Sequence, residues 1–186
     1  MYRVGSVFYS SGNRDIDAPR VKAANIVRKQ NDFETLSQAL YSSNPTLQFW
    51  AIWFYKMPAT IAKEKREGLE ARIKELAREG SFNVRLQAVE NLRMRSGMGD
   101  FLEELVKTET SPPILLRLLS YNGFKNLSER FNPILFRLLN HPDKKVRSEA
   151  LVFVSGNDSP SRAPMWRIKF DQAVLDKVAE LTKKKL

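Results

Sequence analysis

Asn83-Val84-Arg85-Leu86-Gln87-Ala88-Val89-Glu90-Asn91-Leu92 returns downstream as Lys145-Val146-Arg147-Ser148-Glu149-Ala150-Leu151-Val152-Phe153. Both stretches read aliphatic, then arginine, then alanine four residues after the aliphatic, then a large apolar residue. On a helix the aliphatic and the residue four later share a face, and alanine there lets a partner helix come close. Leu47 with Ala51, after Asn44-Pro45, and Ile114 with Leu118, after Pro112-Pro113, keep the frame in weaker form. The anchors Leu47, Val84, Ile114 and Val146 follow one another at intervals of about 30 to 37 residues, a period that indicates a helical repeat array.

Outward from the anchors the chain reads as helix after helix. The segments fall into pairs, 32–42 with 44–57, 60–79 with 82–95, 100–109 with 111–121, and 124–140 with 142–155, each joined by a short connection as for antiparallel neighbours. Asp17, Asp32 and Asp100 are expected as caps, and Asn44-Pro45 and Ser111-Pro112 as helix starts. Pro58 closes the third helix, Gly97 and Gly99 end the 82–95 helix, Gly123 breaks the chain, and Pro133 divides or kinks 124–140. A loop follows over 156–168, then a last helix from about Phe170 to Leu181. Residues 1–16 lack helical periodicity and are expected to form a loose leader, with 17–186 as a single repeat domain. Strand alternation is absent, so the expected class is all-α.

Pro142-Asp143-Lys144-Lys145-Val146-Arg147-Ser148-Glu149-Ala150 resembles the second helix of HEAT and HEAT-like repeats, and Val84-Arg85 with Ala88 follows the same pattern. Leu47-Gln48 with Ala51 lacks the arginine, and Ile114-Leu115 with Leu118 lacks both arginine and alanine. The resemblance implies a right-handed α-solenoid of about four to five helix pairs, in which each pair buries its stripe against the next. It also implies that the second helices line an inner, concave surface, and that Asp143, Arg147 and Arg85 make structural ladders between repeats. It carries little about function beyond a scaffold or adaptor role.

Thirty-one lysines and arginines stand against 21 aspartates and glutamates, a formal charge of +10, which favours acidic partners such as nucleic acid, anionic membranes or acidic proteins. The chain has no cysteine, which excludes disulfides, cysteine-held zinc and a cysteine nucleophile. His141 is the only histidine, so a transition-metal centre is not expected. No nucleophile elbow, P-loop or dinucleotide fingerprint occurs. The chain is therefore expected not to be an enzyme and to need no cofactor or metal.

Two surfaces are candidates. The second helices carry Arg85, Arg93, Arg95, Arg117, Lys144 and Lys145 against few acids, a basic concave face suited to an acidic protein or a phosphate backbone. Phe49-Trp50-Ala51-Ile52-Trp53-Phe54-Tyr55 covers more than one side of a helix, so Trp50, Trp53 and Tyr55 are either core rings or a contact patch. The expected partner is a protein, with nucleic acid as the alternative. DNA-alkylation-repair glycosylases are similar in repeat type and charge, but their acidic catalytic position maps onto no residue here. No run reaches the length of a membrane span. With no signal peptide visible at Met1-Tyr2-Arg3-Val4-Gly5-Ser6-Val7-Phe8, a cytoplasmic monomer is the expectation.

Overall fold

The structure, a computed structural model, describes residues 14–29, 32–55, 62–120, 131–157 and 169–183. These residues form ten helices and no strand, so the protein is all-α. None of the helices is long and apolar enough to cross a membrane, among the described residues. The expectations placed on residues 1–13, on Pro58, on Gly123 and on residues 158–168 of the expected 156–168 loop lie outside them. The chain clusters into two compact units, Met1–Asn91 and Leu92–Leu186.

The first unit begins with α1 (Arg14–Lys29), which starts three residues before Asp17, the cap expected from the sequence. Asp15 and Asp17 instead sit in its first turn, where carboxylates oppose the positive end of the helix dipole. Pro19 lies inside the helix and removes the amide that would reach the Asp15 carbonyl. Helix α2 (Phe33–Tyr41) is capped by Asp32, whose carboxylate accepts the Thr35 amide at 2.8 Å. Helix α3 (Pro45–Phe54) is capped by Asn44, which accepts the Thr46 amide at 2.9 Å; proline at the first helical position loses no bond.

Helix α4 (Lys63–Glu79) is continuous through Gly68, and its alternating charges pair as Lys63–Glu67 and Glu70–Lys74. Gly80 ends it. A Cβ there would lie 2.6 Å from the Leu76 carbonyl oxygen and 2.8 Å from Val84 Cγ1, so only glycine lets the chain turn into α5 (Phe82–Leu92) at this distance. Within this unit α1 packs on α2 and α3, and α2 packs on α3 and α4. Their buried stripes are Ala23, Ala24 and Val27 on α1, Leu36, Ala39 and Leu40 on α2, and Leu69, Ile73, Leu76 and Ala77 on α4.

In the second unit α6 (Gly99–Thr108) starts one residue before Asp100, which stands in its first turn rather than at its cap. Gly97, with φ +77°, turns the chain between α5 and α6, a backbone conformation that favours glycine. Helices α7 (Pro112–Leu119) and α8 (Asn132–Leu139) each begin with proline in the first turn. Pro133 thus stands at the start of α8, and the expected 124–130 part of that segment lies outside the described residues. Asp143 caps α9 (Lys144–Asn157) by accepting the Lys145 and Val146 amides at 2.7 and 3.2 Å. Asp171 likewise caps α10 (Gln172–Lys183) through the Val174 amide at 3.0 Å. Here α6 packs on α7, α7 on α9, and α8 on both α9 and α10.

Buried positions recur between the units. Leu36, Leu40, Leu69, Ile73, Val84 and Ala88 of the first have buried counterparts in Leu102, Val106, Phe131, Leu135, Val146 and Ala150, roughly 62 to 66 residues on, twice the repeat period.

Candidate partner-binding surface

The two candidate surfaces fare differently once burial is known. Trp50 is 6% exposed and Tyr55 4% exposed, so both are core rings of the first unit. The α3 aromatics stack in two columns, Phe49 on Trp53 with centroids 6.3 Å apart and Trp50 on Phe54 at 5.8 Å. Tyr55 spends its hydroxyl on the Arg66 carbonyl at 3.2 Å, satisfying the one polar atom the ring brings inside. Trp53 is half-buried and alone of the three keeps an appreciable part of its ring at the surface.

The basic candidates divide between the units. Arg85 is half-buried on α5 in the first. The other five lie in the second, where Arg93 reaches Ser120 at the end of α7. The Arg93 guanidinium donates to Ser120 Oγ at 3.3 Å, and that hydroxyl donates to the Arg117 carbonyl at 2.9 Å. Arg117 is exposed, and Arg93 and Arg95 are half-buried. Lys144 and Lys145 are exposed in the first turn of α9, the helix that packs on α7. Their ammonium groups meet no carboxylate among the described residues.

Those lysines stand in the first turn of α9, beside the capping carboxylate of Asp143. A cation at a helix N-terminus faces the positive end of the dipole and costs a few tenths of a kcal/mol, up to about 1. Helices α2, α4 and α6 carry an acidic residue in their first turn, as that rule asks, and α3, α5, α7, α8 and α9 carry none. On α9 the Asp143 carboxylate at the cap opposes the positive end of the dipole, and Lys144 and Lys145 stand exposed beside it.

Asp143 and Arg147 do structural work. Besides Asp143 capping α9, one Arg147 nitrogen donates to the His141 and Pro142 carbonyls, both at 2.7 Å, and His141 Nδ1 accepts the Asp143 amide at 3.1 Å. Two further arginines, not singled out by the sequence motif, link successive first helices. Arg72 on α4 donates to the Leu40 carbonyl at the end of α2, at 3.3 Å. Arg137 on α8 donates to the carbonyls of Val106 and, at 3.2 Å, of Glu109 at the end of α6. Burial lowers the Arg137 pKa from the ordinary arginine value, and the Glu109 carboxylate pulls it back up. Glu109, 6% exposed, holds the next turn by accepting the Thr110 and Ser111 amides at 2.9 and 2.7 Å. The available signal was an arginine inside the apolar run Ile134-Leu135-Phe136-Arg137-Leu138-Leu139, where a charge survives only with strong acceptors.

An open groove of about 590 Å³ runs along α1, edged by Arg14, Asp17, Lys22 and Asn25 with Val21 and the exposed Ile26 between them. No group of three or more acidic or histidine side chains that could hold a metal ion occurs among the described residues. No protein-family model, no curated protein and no solved structure matches this chain.

Proposed function

We propose that the chain is a HEAT-like adaptor, a right-handed α-solenoid of about four to five helix pairs, that binds an acidic protein through the second-helix side of its C-terminal unit. The solenoid reading draws on alternate-helix packing, α1 with α3 and α2 with α4 in one unit, α7 with α9 and α8 with α10 in the other. The recurrence of buried positions at twice the repeat period supports it as well. One observation carries the functional reading: Arg117, Lys144 and Lys145 are exposed on two helices packed together. Protein-binding surfaces of this kind gain on-rate and partner selection from charge complementarity.

The test is fluorescence anisotropy with a labelled glutamate- and serine-based peptide, beside labelled duplex and single-stranded oligonucleotides, at low and near-physiological salt. Peptide binding that is lost in Arg117→Glu/Lys144→Glu/Lys145→Glu is the expected result. Oligonucleotide binding that is tighter than peptide binding and falls steeply with salt would move the reading to nucleic acid. No peptide binding at low salt would remove the acidic-partner reading.

A further inference from the structure

We propose that this chain associates with itself head to tail, α10 of one copy pairing with α1 of the next; the proposal rests on the repeat reading of the fold and not on the acidic partner. Consecutive helices pair as first and second, α2 with α3, α6 with α7 and α8 with α9. Helices two places apart pack as well, first on first in α2 with α4 and α8 with α10, second on second in α1 with α3 and α7 with α9. In that alternation α1 holds the place of a second helix and α10 the place of a first. Neither has its pair-mate among the described residues. One copy's α10 and another copy's α1 supply the two halves of a single pair.

Both helices carry apolar surface suited to that contact. The outer groove of α1 holds Ala18, Val21 and Ile26, and Ile26 is 45% exposed. On α10 the stripe Val174, Val178 and Leu181 is buried only at Val174, and the neighbouring Leu175 is 38% exposed. Second-on-second packing would also lay the arriving α1 along α9. There Val152, 64% exposed, lies on the helix face opposite the buried Val146, Ala150 and Val154. Charge selects α10, and not a second α1, for the groove. The α1 segment has five cations against two carboxylates, so two α1 helices face to face would oppose like charges, whereas α10 has two of each. A single added pair buries little area, which places the association in the weak class, and the net charge of +10 opposes it further. The two copies use different patches, so the contact is heterologous and continues past a dimer.

The test is sedimentation equilibrium of the full chain at near-physiological salt, from micromolar to near-millimolar concentration. Ile26→Glu spoils the α1 face and Leu175→Glu the α10 face. The unaltered chain is expected to be a monomer at the dilute end and to form species larger than a dimer at the concentrated end. Each variant alone should stay monomeric throughout. An equimolar mixture of the two should form a dimer and nothing larger, because it holds one intact face of each kind. Ala18→Glu and Val152→Glu repeat the two arms at exposed positions, and thermal melts matching the unaltered chain show that the variants fold. A monomer at every concentration overturns the proposal. So does association kept by one variant alone, which would mark a contact between like faces. Acidic-peptide binding measured on the same dilute samples separates the two readings: binding without self-association refutes this inference alone, and self-association without binding refutes the acidic partner alone.

Discussion

Replacing Arg137 by methionine keeps most of the aliphatic stem and removes the guanidinium, which isolates the contribution of its two carbonyl bonds. Hydrogen bonds made by a charged group contribute about 1.5–3 kcal/mol each before the cost of burying that group is counted. That cost is visible here, since burial lowers the Arg137 pKa. Setting two such bonds against it, and adding the Val106 and Glu109 carbonyls left without this donor, gives an expected loss of about 2–4 kcal/mol. Arg72→Met is the internal comparison. It loses one longer bond, 3.3 Å to Leu40, together with an exposed pair to Glu75 and a cation–π contact on exposed Tyr41, so the expected loss is about 1 kcal/mol. Urea unfolding followed by circular dichroism measures both on one scale. The difference should not change between pH 6 and 9. A lowered pKa means that the unfolded chain holds the proton more tightly, so stability would rise with pH only where arginine itself titrates. A loss below about 1 kcal/mol for Arg137→Met, or an equal loss for Arg72→Met, would refute the view that the buried arginine fastens α8 to α6.

Three more outcomes follow from the same geometry. Gly80→Ala should cost about 1–3 kcal/mol in urea unfolding, because the new methyl meets the Leu76 carbonyl and Val84 inside contact distance. Trp50→Ala should cost about 3–5 kcal/mol and Trp53→Ala clearly less, since only the first ring is buried; equal losses would contradict the assignment of Trp50 as the main core ring. Lys144→Glu/Lys145→Glu should leave the fold as stable or raise stability by up to about 1 kcal/mol while abolishing acidic-peptide binding. A fold weakened by that exchange would mean that the lysines serve packing, not a partner.

The apolar frame was the legible part of this fold because helix periodicity is a property of side chains alone. Val84, Ala88, Ile114, Leu118, Val146 and Ala150 are all buried, and Asp32 and Asn44 cap the helices they were expected to cap. Boundaries read less well for a physical reason. Asp17 and Asp100 suit a cap and a first turn equally, since both place a carboxylate near unpaired amides. Only the backbone decides between the two, and here it places both inside their helices. Pro133 stands in the first turn of α8, where its missing amide costs no bond.

The candidate surface was legible in its charges but not in its arrangement. Composition could nominate six basic residues, but it cannot rank an exposed Lys145 above a half-buried Arg85, because exposure depends on which neighbours arrive. Aromatic density misled in the other direction. Trp50 and Tyr55 look like contact residues by type, and the packing of α3 against α1 and α2 takes them out of solvent. Met94 shows the converse. Its residue type suggests the core, yet it is 78% exposed in the turn after α5 ends at Leu92. Exposure that results from where a helix ends cannot be read from hydrophobic pattern, and such a position can be occupied by a polar residue at no structural cost. Met94 is such a position, whereas the apolar character of Trp50 is already required by the core.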